Sequence, residues 1–221
     1  MLEMKDVSFQ YNRHKIVLDH VNMQFEPGKF YTIFGDSGSG KTTCLALLGG
    51  LEQPSAGQVL LDGEDIRNIT GSRLRQQYVT YVFQDFKLFP YMTAVENLMA
   101  ALYISKPKTD KKEAKSRVIR ILEQLGLDRT EMDRPVESLS GGQMQRVAIG
   151  RALVCDTGYI LADEPTGNLD EHNTENIIQL LQNIVQRYNK CVVVVTHSAQ
   201  VRDAADLCYV MKNGKAERMD R

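Results

Sequence analysis

Gly35-Asp36-Ser37-Gly38-Ser39-Gly40-Lys41-Thr42 follows an apolar run at 31–34 and opens a second apolar stretch that begins near Thr43. A glycine-rich turn between a buried strand and a helix, with lysine and threonine at its last two positions, has the GxxxxGK[ST] spacing that cradles phosphate groups. Glycines let successive backbone N–H groups turn toward one centre, and the helix N-terminus adds a dipole that favours an anion there. In that reading Lys41 supplies a point charge to the β and γ phosphates, and the Thr42 hydroxyl ligates Mg2+. A plain strand-to-helix turn accounts for the glycines but leaves Lys41-Thr42 at that offset to chance.

The surrounding pattern supports an α/β fold. The runs 31–34, 159–162 and 192–195 are apolar almost throughout, as in strands covered by helices on both faces. Upstream, Val7 and Phe9, then Val17, Val21, Met23 and Phe25, recur at even spacings, which predicts antiparallel strands with one wet face. Asp62-Gly63 after Val59-Leu60-Leu61 is a hairpin signal. Between Phe83 and Gly150 the period becomes helical, with Val118, Ile121, Leu122 and Leu125 on one face and Gly126 as a stop. The lysine-rich stretch 106–115 reads as a solvated helix face. Ile177, Leu180, Leu181 and Ile184 form another amphipathic stripe before the strand 191–196. The expected architecture is a core with a mixed, mainly parallel sheet, an N-terminal antiparallel β subdomain and an inserted α-helical subdomain.

Composition narrows the alternatives. The 221 residues, 43% hydrophobic and 25% charged, fit one globular domain with small subdomains. A net charge of -1 gives no overall field for nucleic acid, so no nucleic-acid partner is expected. The longest apolar stretches, 44–51 and 98–104, fall short of the roughly 18 to 20 residues that span a bilayer, so direct membrane insertion is not expected. The first residues lack the layout of a secretory signal, which points to the cytoplasm. Cys44, Cys155, Cys191 and Cys208 show no metal-ligand spacing and read as reduced thiols in or near the core. Cys44 is either a reagent-sensitive thiol beside the loop or a core residue.

A second chemical element is Tyr159-Ile160-Leu161-Ala162-Asp163-Glu164, an apolar strand ending in two carboxylates. Ligands of open α/β sheets bind at such strand ends. Neighbours on a strand point to opposite sides, so the two acids divide the work. Asp163 is the candidate Mg2+ residue, directly or through water, and Glu164 the candidate base that polarises the attacking water.

Leu139-Ser140-Gly141-Gly142-Gln143, followed by Met144-Gln145-Arg146-Val147, resembles the signature motif of the ABC ATPases. Ser140, Gly141 and Gly142 stand at the start of a helix from Gln143 to Leu153 and make a second anion site. The resemblance extends along essentially the whole chain, taken as a single domain, 1–221. It implies a nucleotide-hydrolysing core at 1–84 and 151–221 and a helical signature subdomain at 85–150. It further implies that the signature of one copy covers the γ-phosphate held by the loop of a second copy, so that two ATP molecules are sandwiched in a two-fold dimer. Tyr11 then matches the aromatic residue that stacks on adenine, with Phe9 left to the core. Gly35, Ser37, Gly38, Ser39, Gly40, Lys41, Thr42, Thr43, Ser140, Gly141, Gly142 and Gln143 match nucleotide contacts. Gln84 matches the glutamine that reaches Mg2+ and the attacking water, Asp170 a residue contacting the opposite copy, and His197 the histidine at the γ-phosphate. His14, His20 and His172 have no such match and are read as surface residues.

Val82-Phe83-Gln84-Asp85-Phe86 and the segment from Ala162 to Asp170 are similar to ATPases of macrolide and lipoprotein export, of lantibiotic and bacitracin resistance, and of the cell-division ABC complex. Asp36 and Met144 stand where proline and glutamine are common. A separate membrane permease is the implied partner, with Phe86, Leu88, Phe89, Pro90 and Tyr91 as an apolar cluster for it to dock on, the chain lying on the inner face of the cell membrane. The chain ending at Arg221 argues against the sugar and methionine importers, whose ATPases carry a regulatory extension. The second function implied is a mechanotransmission ATPase that regulates cell-wall or division machinery without transport.

Overall fold

The computed structural model describes residues 1–12 and 15–219, and His14 lies outside them. β1 (Leu2–Asn12) and β2 (Lys15–Phe25) form an antiparallel ribbon, after which β3 (Phe30–Phe34) runs through the glycine-rich turn into α1 (Lys41–Leu48). β4 (Ala56–Leu61) returns to pair with β1 and turns through Asp62-Gly63 into β5 (Glu64–Asp65). Asp62 (φ 51°) and Gly63 (φ 85°) both take the left-handed backbone that a two-residue hairpin turn requires. α2 (Gly71–Gln77) and β6 (Val79–Val82) lead into α3 (Ala94–Ser105), α4 (Lys111–Gln124), α5 (Arg129–Met132) and α6 (Gly141–Val154). The chain closes with β7 (Tyr159–Asp163), α7 (Glu171–Tyr188), β8 (Cys191–Thr196), α8 (Ala199–Ala204), β9 (Leu207–Lys212) and β10 (Lys215–Met219).

The strands make two sheets, one in the order β2-β1-β4-β5 and one in the order β10-β9-β3-β8-β7-β6. In the second sheet every pairing is parallel except β9 with β10. The central strands are apolar almost throughout because their two faces enter two different cores. On β8, Val192 and Val194 pack toward α6 and α7, while Cys191, Val193 and Val195 pack toward α1 and the antiparallel sheet. Ile160 and Leu161 on β7 divide in the same way.

The helical expectations hold for α4, where Val118, Ile121 and Leu122 are buried, and Gly126 (φ 78°) stops the chain one residue after Leu125. Lys108, Lys111, Lys112 and Lys115 are exposed, as a solvated face requires. One register expectation fails. Val17 is half-buried and Leu18 is fully buried, because a bulge with His20 at φ 53° shifts the alternation of β2 by one residue. His20 and His172 are both exposed. All four cysteines are free, with Cys44, Cys191 and Cys208 buried.

Asp156 ties the helical segment to the core. Its carboxylate meets Lys190 at 2.9 Å before β8, Lys106 at 3.1 Å after α3, and Arg117 of α4 at 3.7 Å. Burial alone would raise its pKa, but the Lys190 and Lys106 hydrogen bonds outweigh it and bring it to about 2. A carboxyl depressed on folding stabilises the fold above its unfolded value, near 4, and that contribution disappears as pH falls toward 2. Asp156 sits at φ 61°, which asparagine also tolerates, so Asp156→Asn isolates the charge. With the side chain 50% exposed, screening reduces the expected loss to about 1 kcal/mol at pH 7. Urea titrations of both proteins should show this gap at pH 7 and its disappearance near pH 2.

Candidate active site

The turn after β3 is shaped by close approach. A Cβ on Gly35 would overlap the Met211 carbonyl, and one on Gly40, at φ 102°, would come within 2.8 Å of Leu18 Cδ2. Gly38, at φ 80°, has open space but needs the left-handed backbone. This winding brings Lys41 back over its own loop, where its buried ammonium donates to the carbonyls of Gly35 (2.7 Å) and Asp36 (3.0 Å). Ser37 and Gly38 are exposed, while Ser39 is buried with its hydroxyl unpartnered.

The acid pair sits opposite. The Thr42 hydroxyl donates to Asp163 Oδ1 at 3.3 Å. Glu164 leaves β7 with φ 43°, and that left-handed backbone turns its carboxylate toward β8. There Oε1 lies 2.8 Å from His197 Nδ1, and Oε2 accepts from the Thr196 hydroxyl at 3.2 Å. The two acids thus serve different partners because of a strained residue, not because a strand alternates. Such strain costs on the order of 1–2 kcal/mol and is concentrated at functional sites.

Ser37, Gly38, Gly40, Lys41, Thr42, Asp163, Glu164 and His197 line one cleft of about 780 Å³ together with Tyr11, Gln84, Thr43, Lys15, Ile16, Val17, Asn213 and Gly214, whereas Gly35, Ser39 and Thr196 are not on its wall. Tyr11 is 65% exposed, stands edge-on to Phe9 at 4.8 Å and approaches Thr43 Oγ1 at 3.4 Å. Phe9 is buried in the core, as expected. Cys44 is also a core residue, its thiol pushed up to about 12 by burial, which removes the reagent-sensitive alternative. Sequence reasoning missed Lys15, Ile16, Asn213 and Gly214, which reach the cleft from the start of β2 and from the turn between β9 and β10 without any motif. It also missed Thr196, a hydroxyl inside an otherwise apolar strand.

Ser140, Gly141, Gly142, Gln143 and Asp170 do not line this cleft. Ser140 caps α6, accepting from Gln143 N at 3.3 Å while its own N–H donates to Gln143 Oε1 at 2.8 Å. The Gln143 amide nitrogen also reaches Glu131, so this side chain is held within the chain. Gly142 is required by Asn173, whose Oδ1 would lie 2.8 Å from a Cβ there, and Asp170 fixes Asn173 through two 2.8 Å hydrogen bonds. The capping box uses the N3 amide of α6 and leaves the earlier N–H groups of the Gly141-Gly142 turn without intrahelical partners.

A divalent cation fits the donor set. Among the described residues no cluster of three His, Cys, Asp or Glu side chains could cage a metal. Mg2+ needs no such cage, since it keeps waters and takes one or two protein oxygens plus phosphate oxygens, and Thr42 and Asp163 are paired at the mouth of the loop.

The cluster read as a docking surface keeps an exposed face at Phe89, Pro90 and Tyr91. Phe86 and Leu88 are half-buried against the helical core, while Phe89 is 53% and Tyr91 82% exposed. A separate apolar groove of about 400 Å³ lies between the helical segment and the sheet edge, walled by Leu51, Arg75, Tyr81, Phe83, Ala101 and Ile104. It was not readable as a motif because its walls come from distant segments.

A lysine-bearing phosphate loop facing two divided carboxylates on a mainly parallel sheet defines a P-loop nucleotide hydrolase. The ABC transporter family profile matches residues 18–167, and the chain belongs to this family as an ATP-binding, ATP-hydrolysing subunit. It is 42% identical, over 97% of its length and 94% of the relative's, to an uncharacterized ABC transporter ATP-binding protein, YclH, of Bacillus subtilis. It is 40% identical, over 98% of its length and 96% of the relative's, to the lipoprotein-releasing system ATP-binding protein LolD of Francisella tularensis. The dimeric structure of MJ0796, a bacterial ABC transporter cassette, superposes with a TM-score of 0.90 at 36% identity, covering 100% of this chain and 98% of that one. A post-hydrolysis MJ0796 dimer bound to ADP and Pi gives 0.89 at 34% identity, with the same coverage of 100% and 98%. Among the described residues no helix is long and apolar enough to cross a membrane.

Asp163 carries a cost in the nucleotide-free chain. Burial, then the Glu164 charge, raise its pKa, and the Thr42 hydrogen bond only partly opposes them. A carboxyl raised on folding loses stability as pH rises through its unfolded value near 4. Asp163→Asn should therefore melt higher than the native chain at pH 8 without nucleotide, with the difference gone at pH 3.

Proposed function

We propose that the chain powers a separate membrane permease that exports or extracts a lipoprotein, peptide or drug, hydrolysing MgATP between two copies of itself. The observation that carries this reading is the separation of two anion sites. The cleft gathers Lys41, Thr42, Asp163, Glu164 and His197, while the capped N-terminus of α6 lies outside it with free N–H groups. A second copy related by a two-fold axis brings that helix end to the first copy's cleft.

In this account Gly35, Ser37, Gly38, Ser39 and Gly40 shape the loop around the phosphates, Lys41 neutralises their charge, Thr43 supports the first turn of α1, and Tyr11 stacks on the base. Thr42, Asp163 and Gln84 hold Mg2+, which supplies charge neutralisation at the phosphate oxygens when bound. Glu164, oriented by Thr196 and His197, accepts a proton from the attacking water. Ser140, Gly141 and Gly142 of the other copy grip the γ-phosphate, with Gln143 holding that helix end in shape and Asp170 supporting it across the interface. Loss of the γ-phosphate removes the bridge and the dimer opens. The helical segment 85–150 moves relative to the core as it does.

The apolar groove at Tyr81, Phe83 and Ile104 receives a short segment of the permease, which holds the chain at the cytoplasmic face of the membrane. Relatives named for lipoprotein release and macrolide export favour transport over mechanotransmission, and a Syntrophobacter fumaroxidans relative, MacB, is named as a joined ATP-binding and permease protein. That relative is 34% identical over 98% of this chain and 31% of its own length.

Glu164→Gln should retain ATP binding, lose hydrolysis by about 10²- to 10⁴-fold and accumulate as a dimer in sedimentation with ATP. A variant that stays monomeric at saturating ATP, or hydrolyses at the native rate, would contradict the mechanism. Tagged Ile104→Glu, expressed in the source cells, should bind ATP normally and fail to bring a membrane protein through purification. Recovery of the same partner as the native chain would reject the groove.

A further inference from the structure

The groove and the phosphate loop share one helix. Tyr81 lines the groove, and its hydroxyl donates to the Leu45 carbonyl of α1 at 2.6 Å, with the Ala46 carbonyl at 3.5 Å. Arg75, also in the groove wall, donates from Nη1 to the Gly50 carbonyl at 3.3 Å just past the helix end. Leu51, the next residue, is part of the same wall. The approach of Tyr81 is close enough that a Cβ on Gly49 would overlap the phenol. At its other end α1 begins with Lys41 and Thr42, so about 12 Å of helix separates the phosphate contacts from the groove.

We propose that Arg75 and Tyr81 are positioning residues that couple occupancy of the groove to the phosphate loop by holding the C-terminal end of α1. This rests on the reading of the groove as the permease site. Cys44, Leu45, Leu47 and Leu48 are fully or almost fully buried, so α1 moves as a packed unit and does not bend locally. A displacement of the Tyr81 ring by a bound segment reaches Leu45 through the hydroxyl, and Arg75 adds a cation at the negative end of the helix dipole. The same ring stacks on Phe83 at 5.3 Å with planes 12° apart. Phe83 precedes Gln84, which lines the nucleotide cleft, so both walls of the cleft sense the one aromatic group.

The hydroxyl can be removed without breaking the fold. Leu45 O also accepts from Gly49 N at 3.1 Å, so Tyr81→Phe leaves no orphaned carbonyl, and the ring keeps its place. The variant separates a mechanical role from a packing one.

The test compares ATP hydrolysis by the permease complex, purified from source membranes on the tagged chain, with hydrolysis by the chain alone. Native protein, Tyr81→Phe, the double variant Tyr81→Phe with Arg75→Met, and Ile104→Glu are measured side by side. Tyr81→Phe should keep the permease and melt within about 2–4 °C of the native chain, while the ratio of complex to free rate falls about fivefold, the weight of one hydrogen bond, and further in the double variant. An unchanged ratio in both variants, with the permease retained, would overturn the coupling role and leave the groove intact as a docking site. Retention of the permease by Ile104→Glu would instead show that the groove is not the docking site, and the coupling proposal would fall with it.

Discussion

A lysine ammonium buried under its own backbone is the constraint around which the site is organised. Lys41 rests on the Gly35 and Asp36 carbonyls at the start of α1, beside a helix N-terminus that favours an anion. A cation in that position is poorly solvated, and polyphosphate supplies the charge that matches it. The loop winds this tightly only because Gly35 passes against Met211 and Gly40 against Leu18. The β9 strand and the antiparallel ribbon therefore press on the loop from two sides, which explains why the fold brings a second sheet to this end of the core.

The two carboxylates answer the same charge from the opposite wall. Asp163 lies close to the Thr42 hydroxyl and is disfavoured in its ionised form until a cation compensates it. Glu164 is taken out of that competition by a left-handed residue that aims it at Thr196 and His197. Strain at one backbone position thus gives the two adjacent carboxylates different partners. The remaining requirement is a second set of N–H donors for the far side of the phosphate tail. The Gly141-Gly142 turn carries such donors, on a helix end rigidified by Ser140, Gln143 and Glu131 and packed on Asn173.

Much of this was legible in the sequence because the decisive groups are contiguous. The phosphate loop, the acid-ended strand and the signature segment each carry their chemistry within a few residues, and the apolar runs on either side announce a sheet covered on both faces. What escaped reading depends on approach through space. Thr196 looks like any strand residue until Glu164 turns toward it, and Asn213 and Gly214 reach the cleft only because β9 pairs with β3. The groove joins Leu51, just past α1, to residues from α2, β6, α3 and α6, so no local pattern marks it. The alternation of β2 misassigned Val17 because a bulge at His20 reverses parity, and side-chain periodicity is blind to positive φ.

The central claim is that each site is completed across two copies, and mixing defective chains tests it most directly. Lys41→Ala and Ser140→Arg, both in the Glu164→Gln background, each remove one side of every site, but a mixed pair retains one intact site. Sedimentation with ATP should show association only in the mixture. ATP-driven pairing by Ser140→Arg alone, or none in the mixture while both chains remain folded, would contradict the account.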